Sequence, residues 1–560
     1  MPRVNIITNH RNQTGLSQDA DLIHGILAIV YGDELKLART PHQQPVGPEC
    51  DLNIFLEVIN PALFSFASKN IWIPNPEWTY TAWDPYLEMV DEIWVKTHEA
   101  EAIFSKLTTK PIVYIGWSSI SKECSVTKNY SKAFVLVGKN IFRHPQLIVD
   151  AYAHSSDRTG FPELHIPYDS TRMNLTVPED VASLIHTYPS TLKQVEYDSL
   201  LSECGLAICL SGAEGFGHAV NEASSNGCNL LLGRIQPFEE LTRTATWVES
   251  IKTTQHPECH IQVRAWSEEN FLAGLSTYIS LPLEKKQADS EAVKNEYMDR
   301  HTAWIEMMKY RLGQLVFPER VNTLPAEADL PCVSILTPTR DRIEFMRLAR
   351  DCFLHLAYPD DKIEWVIVDD SEISCEFIFK GVKNVKYEWV DPGKTIAWKR
   401  NRAVELASHD VLVNMDDDDV YPNNSVIMRV ASMLKSPAVQ CVFCTTIPCY
   451  DIKKVISFIN VPPLKLPMAA RVSEATLAFT RKFWEAGKFD DTVKIAEGNA
   501  FIRGREHMCR ELGPQDIIVS LVHPRTTSAR KSPAGMESNG CHFGFSDDLF
   551  KAVSEIAATL

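Results

Sequence analysis

No stretch of this sequence approaches the ~20 consecutive apolar residues that a helix needs to cross a bilayer, so no transmembrane segment is expected. The opening residues, MPRVNIITNHRNQ, enter a strand pattern almost at once and lack the apolar core of a secretory signal, which points to a cytoplasmic setting. There is no surplus of positive charge either: 56 Lys and Arg against 72 Asp and Glu leave a formal charge of −16. That balance argues against a general binder of nucleic acid or anionic membrane, and an anionic ligand must be held by local groups. The 14 cysteines follow no regular framework, as suits reduced thiols rather than a disulfide scaffold. Cys441-x-x-Cys444 followed by Cys449 suggests zinc, but VQCVFCTTI reads as a strand, where residues three apart face opposite sides. With no second Cys pair nearby, buried thiols are expected.

What is present is an ordinary globular composition, 45% hydrophobic and 23% charged over 560 residues. That length allows roughly three to four units of ~150 residues. One stretch stands out, Val411–Tyr421, VLVNMDDDDVY, in which an apolar run ends in the consecutive aspartates Asp416 to Asp419. Alternating burial accounts for Val411 and Val413 as a strand. It does not account for like charges at the strand's end. One reading is a solvated acidic turn. The other is a divalent cation, Mg²⁺ or Mn²⁺, held by hard carboxylate oxygens and gripping substrate phosphates. In an extended segment Asp416 and Asp418 point the same way.

The first half alternates strands and helices: VNIIT, DADLIHGILAIVYG, LNIFLE, NIWIP, EIWVK, HEAEAIFSKL, PIVYIGW. Such alternation implies a parallel sheet covered by helices. Gly15 lies between the first strand and first helix, where a ligand can approach or a simple turn can sit. A second unit of the same type follows, with AFVLVG, NLTV, GLAICLS and CNLLLG as strands. Within it runs Ser211–Gly227, SGAEGFGHAVNEASSNG. This resembles the donor-binding signature of family 4 glycosyltransferases, retaining enzymes of the two-Rossmann GT-B fold. Glu214 and Glu222 have that family's Glu-x7-Glu spacing. The resemblance implies that Glu214 contacts the donor hexose and Glu222 the ribose, while Gly215 and Gly217 allow close backbone approach. The following helix N-terminus and the basic pair Lys139 and Arg143 then meet the pyrophosphate. Where many members place a His, this chain reads IPNPEWTY, with Asn75 and Glu77; His98 and His218 are nearby. Val293, Tyr297, Trp304, Met308, Leu312 and Leu315 form one helical face, matching the helix that ends a GT-B module.

From Pro331 onward the chain resembles family 2 glycosyltransferases, inverting enzymes of the single-sheet GT-A fold. The likeness rests on CVSILTPTRDR, WVIVDDS, GKTIAWKRNRAVELA and the aspartates, in that order. It implies that Thr337, Thr339 and Arg340, with Asp370, wall in the base and ribose of a UDP- or GDP-linked sugar. Lys394 and Arg400 meet phosphate or an acceptor carboxylate. Asp416 and Asp418 form a DxD pair for Mn²⁺ or Mg²⁺, and Asp419 orients the sugar. His523 is a further metal or phosphate contact, or a structural His. The acceptor segment RKFWEAGKFDDTVKIAEGNAFIRGRE carries Glu497-Gly498 where the family often has Glu-Asp, with the second residue as base. Glu497 is therefore expected to take the acceptor's proton, with Asp490 and Asp491 as alternatives.

The expected architecture is α/β: Rossmann-like domains at 1–125 and 126–322 (GT-B), a linker at 323–331, and a nucleotide-binding domain at 332–560 (GT-A). The expected function is transfer of sugars from nucleotide sugars to a glycan or glycoconjugate acceptor, the C-terminal module using metal and inverting, the N-terminal one retaining and metal-free. The rivals are a single active module beside a glycan-docking one, and a sugar nucleotidyltransferase. Against the latter, the GT-A half opens without a Gly-rich basic loop. A lectin-like scaffold would have no use for Asp416–Asp419.

Overall fold

The apolar runs of the first half become strands because helices cover both faces of each sheet, so the inner strands are buried almost residue by residue. Cys204–Cys209 and Asn229–Gly233 are buried along their whole lengths. The computed structural model describes residues 1–9, 15–44, 46–120, 126–138, 140–189, 192–317, 324–526, 530–538 and 540–560. The chain divides into two compact units. One comprises Met1–His42, Cys50–Ile59 and Lys69–Pro318, the other Gln43–Glu49, Asn60–Ser68 and Glu319–Leu560. Two short segments of the first half thus group with the second unit.

The first unit holds two six-stranded sheets with parallel pairing. In spatial order the first is Lys36–Pro41, Arg3–Thr8, Cys50–Leu56, Ala67–Ile73, Glu92–Val95 and Ile112–Tyr114. The second is Thr246–Val248, Asn229–Gly233, Cys204–Cys209, Asn129–Val135, Glu163–Pro167 and Ile185–Tyr188. The NLTV segment expected as a strand, Asn174–Val177, is irregular. The Gln146 side-chain amide takes both ladder groups of Thr176, accepting from its N–H at 2.9 Å and donating to its carbonyl at 3.0 Å. The strands in that part are Glu163–Pro167 and Ile185–Tyr188 instead. Lys36–Pro41, an edge strand too polar to stand out in the sequence, was not anticipated.

A 31-residue helix, Leu283–Gly313, buries Val293, Tyr297, Trp304, Met308 and Leu312 as its periodicity predicts. Leu315 packs beyond the helix end. The unit also contains a buried ionic knot. Asp19 of the helix Gly15–Tyr31 accepts from Lys96 Nζ at 2.5 Å, Trp117 Nε1 at 2.5 Å and His218 Nε2 at 2.8 Å. Burial alone would push its carboxyl up; the Lys96 ammonium, then the His218 imidazole, override this and hold it well below the usual range.

The second unit is built on a seven-stranded sheet in the order Val385–Trp389, Ile363–Asp369, Val333–Thr339, Val411–Asn414, Ala478–Thr480, Cys441–Phe443 and Cys509–Glu511. The first four strands are parallel, and Ala478–Thr480 runs against Val411–Asn414. A smaller sheet, Asp419–Val420, Val519–Val522, Ile447–Asp451 and Ile456–Asn460, starts where the acidic turn ends. Cys441, Cys444 and Cys449 are buried free thiols, as the strand pattern predicts. Among the described residues no helix is long and apolar enough to cross a membrane.

Asp19→Ala leaves Lys96 buried without its counter-charge. A loss of about 3–5 kcal/mol is expected, read as a lower denaturation midpoint of the full chain. A midpoint unchanged from the parent chain would contradict it.

Candidate active site

The strand Val411–Asn414 delivers the aspartates to the edge of a cavity, but the chain does not stay extended: it turns at Asp417 and Asp418 and re-enters a strand at Asp419. The alternation expected of Asp416 and Asp418 is therefore replaced by a different division. Asp416 receives both terminal nitrogens of Arg400, at 2.9 and 3.0 Å. Asp417 and Asp418 instead converge on Arg342, at 2.7 and 2.8 Å, with Thr339 Oγ1 donating to Asp417 at 2.6 Å. Asp419 accepts the Leu521 N–H at 3.1 Å. Much of the repulsion is thus offset by guanidinium groups from two helical regions, Arg400 16 residues upstream of Asp416 and Arg342 75 residues upstream of Asp417.

Asp416, Asp418 and Asp419 nevertheless line one polar cavity of about 90 Å³, which Glu474, Glu497 and Arg530 also line. Its charges are only partly matched. Burial, then the charges of Asp418 and Asp416, push the Asp419 carboxyl well up, whereas Arg342 and His523 hold Asp418 down against its burial. His523 is buried with its ring stacked on Phe345; Nδ1 accepts from the Arg525 N–H, leaving Nε2–H to donate to Asp418 at 3.1 Å. Asp416, Asp418 and His523 do not converge as one ligand set, because Arg400 occupies the first and the third orients the second. Among the described residues no group of three His, Cys, Asp or Glu side chains is placed to hold an ion alone. Mg²⁺ and Mn²⁺ commonly need only one or two carboxylates, with substrate oxygens and water completing the shell. The under-compensated oxygen donors around this cavity fit that kind of ion.

The expected nucleotide wall is largely structural on its inner side. Thr337 donates to the Met415 carbonyl at 2.6 Å and accepts from Trp365 Nε1 at 2.8 Å, so its hydroxyl is engaged inside the sheet. Asp370 is buried. Lys399 Nζ meets its Oδ1 at 2.6 Å, while the Gly393 and Lys394 N–H groups donate to its Oδ2 at 3.1 and 3.0 Å. It therefore fixes the loop that carries Lys394, whose ammonium lies over the Trp398 ring. Arg400 is fully buried between Asp416 and Glu497, its Nε 2.9 Å from Glu497 Oε1. Asp490 and Asp491 serve the preceding turn, the first accepting from Thr492 and the second from Asn401.

Sequence reasoning did not find Arg342, Lys399, Arg530 or Glu474. Arg342 lies two residues past Arg340, within the same TPTRDR string. Glu474 gave no signal, since only the fold brings it to Gly498. The Gly498 N–H donates to Glu474 Oε1 at 3.1 Å, and a Cβ on Gly498 would stand 2.9 Å from that oxygen. Burial, then the Glu497 charge, push the Glu474 carboxyl up to about 7.

In the first unit the motif residues form two clusters. Glu214 accepts from Arg143 Nε at 2.8 Å, and Arg143 also caps the Leu136 and Val137 carbonyls. Gly215 packs so closely that a Cβ would lie 2.5 Å from Glu77 Oε2. Burial, then the charges of Glu57 and Glu214, push Glu77 up to about 8. Gly217 has φ 107°, a left-handed conformation open to glycine, just ahead of the helix His218–Ser225. In the second cluster Glu222 accepts from Gln18 at 2.9 Å, and a Cβ on Gly15 would lie 2.9 Å from the His218 ring. His98 pairs with Glu101. Lys139 lies outside the described residues. A cavity of about 300 Å³ beside Arg143 is also lined by Asn140, His144, Gln146, Asp169 and Arg172.

Residues 334–474 match the family described as Glycosyl transferase family 2, and the matched segment contains the aspartates and ends on Glu474. The second unit is GT-A-like. No curated protein matches the chain. Among solved structures, the mannosyltransferase PcManGT from Pyrobaculum calidifontis, in complex with GDP-Man and Mn²⁺, is 18% identical, with a TM-score of 0.30, over 37% of this chain and 61% of its own. TarS 1–349 from S. aureus is 14% identical, with a TM-score of 0.28, over 34% of this chain and 60% of its own. Anabaena HepE, in complex with UDP and glucose, is 12% identical, with a TM-score of 0.40, over 56% of this chain and 100% of its own. The chain thus spans about three-fifths of the first two, 61% and 60%.

Arg342→Ala strips Asp417 and Asp418 of their shared cation. A loss of about 3–5 kcal/mol is expected in metal-free buffer, with Mn²⁺ raising the variant's thermal midpoint more than the parent's. Equal responses to Mn²⁺ would contradict the charge balance described.

Proposed function

We propose that the chain is a glycosyltransferase with two modules that move sugars from UDP- or GDP-linked donors to a glycan or glycoconjugate acceptor. The C-terminal module is the metal-dependent, inverting one. The observation that carries this is the cavity at the end of Val411–Asn414, where Asp416, Asp418 and Glu474, all inside the family 2 segment, share a wall with Glu497 beyond it. Asp418, oriented by His523, and Asp416 would hold Mn²⁺ or Mg²⁺. When bound, that ion supplies positive charge to a departing diphosphate. The chain's own residues do the rest. Asp370 sets the Gly393–Lys394 loop beside the nucleotide, Thr339 and Arg342 keep Asp417 inside, and Arg400 holds Asp416 and Glu497 at fixed separation. An acceptor hydroxyl attacks the anomeric carbon opposite the diphosphate and gives its proton to one of the cavity's carboxylates.

The N-terminal module is read as a retaining GT-B enzyme without metal, its Glu214 and Glu222 addressing hexose and ribose, and Arg143 with the following helix N-terminus meeting phosphate. A second reading has support of its own: this module docks glycan rather than transferring sugar. Glu214 is already paired with Arg143, Glu77 crowds Gly215, and His218 crowds Gly15.

Nucleotide release from a donor panel by the full chain tests both. EDTA and Asp418→Asn should each abolish the C-terminal activity and leave any N-terminal activity intact; two activities equally sensitive to EDTA would sink the division of labour. Glu214→Ala should cripple the metal-independent activity, while Glu222→Ala chiefly weakens nucleotide binding. If neither changes any rate, the docking reading stands.

A further inference from the structure

Resting on that reading of the C-terminal module, we infer that Glu474 is the general base that accepts the acceptor's proton. The cavity offers five carboxyl groups, Asp416, Asp418, Asp419, Glu474 and Glu497, and the geometry separates them. Asp416 has both oxygens on Arg400. Asp418 is held by Arg342 and His523. Asp419 is buried and accepts a backbone N–H from Val519–Val522, the adjacent strand of its own sheet. Glu497 is buried against the Arg400 guanidinium, at 2.9 Å. Glu474 is mostly buried but lines the cavity, and its Oε1 accepts from a neutral donor, the Gly498 N–H, at 3.1 Å.

Gly498 makes this placement possible. Any side chain there would start 2.9 Å from Glu474 Oε1 and 2.9 Å from Val472 Cγ1, so glycine leaves the space that the Glu474 carboxylate fills. The residue is also held from behind. Its carbonyl accepts from Asn414 Nδ2 at 2.9 Å, which ties it to the strand that delivers Asp416 and Asp418. Two cations reach towards it, Arg400 beyond Glu497 and Arg530, which donates to Ser473 Oγ next in the chain at 2.8 Å. A carboxyl pushed up to about 7 is half-ionised near neutrality, which suits proton acceptance.

The step balances without further reagents. The acceptor O–H breaks as its proton passes to the Glu474 carboxylate, and the oxygen's electron pair forms the bond to the anomeric carbon. The bond from that carbon to the phosphate oxygen breaks, its pair leaving on the nucleoside diphosphate.

The test uses the full chain with Mn²⁺ and its best donor. Glu474→Gln should lower kcat by roughly 10²–10⁴-fold while UDP or GDP affinity, measured by titration, stays within a few-fold. Glu474→Ala should be equally impaired, and Glu474→Ala combined with Gly498→Asp should regain at least about tenfold, because the new carboxylate grows into the emptied space. A Glu474→Gln rate within a few-fold of the parent overturns the assignment. If that variant does not fold, the double variant decides: recovered transfer supports the assignment, and a folded but inactive protein overturns it. A parent chain that releases nucleotide from no donor overturns the parent reading, and the base assignment with it.

Discussion

Arg400 is the group on which the candidate site depends. It is buried, and three of its donors are spent on two carboxylates, both terminal nitrogens on Asp416 and Nε on Glu497. A planar fork with five N–H groups does this without bending, where a lysine ammonium would serve as a point charge. In one side chain the helix Ile396–Leu406, the end of a central strand and the short helix Glu497–Ile502 are pinned to each other. Buried ion pairs of this kind add little net stability over apolar packing, but losing one partner is expensive. Their effect here is geometric: they fix where the remaining carboxylates face.

The same logic, differently resolved, runs through the first unit. Glu57, Glu77 and Glu214 crowd together with one guanidinium, Arg143, paired to Glu214. Glu57 and Glu77 are consequently pushed up to about 7 and about 8, mainly by burial. The second unit spreads its aspartates over several arginines; the first sets two carboxyls beside Glu214 and pairs only Glu214 with its arginine.

Much of this was legible in the sequence, for reasons that differ by element. Val333–Thr339, Ile363–Asp369 and Cys204–Cys209 were readable because strands buried on both faces are nearly continuous apolar runs. The long helix declared its buried face through its period. NLTV misled because its residues suit a strand and nothing local reveals that Gln146 takes the backbone of Thr176. The acidic turn was visible, but extended-chain alternation could not foresee a turn that hands Asp417 and Asp418 to Arg342. Glu474 beside Gly498 was illegible altogether: a glycine records that a side chain is missing, never which distant one fills the gap.

His523 meets Asp418 from 105 positions further along the chain. At a synthesis rate of about 5–20 residues per second, the acidic turn emerges roughly 5–20 s before its imidazole does. The smaller sheet closes only when Val519–Val522 arrives to pair with Asp419–Val420. Until then the nascent chain carries a cluster of aspartates whose compensation comes from Arg342 and Arg400 alone, both already made. The two arginines precede the aspartates in the chain, whereas His523, which orients Asp418, and Arg530, which lines the cavity, are both made after them.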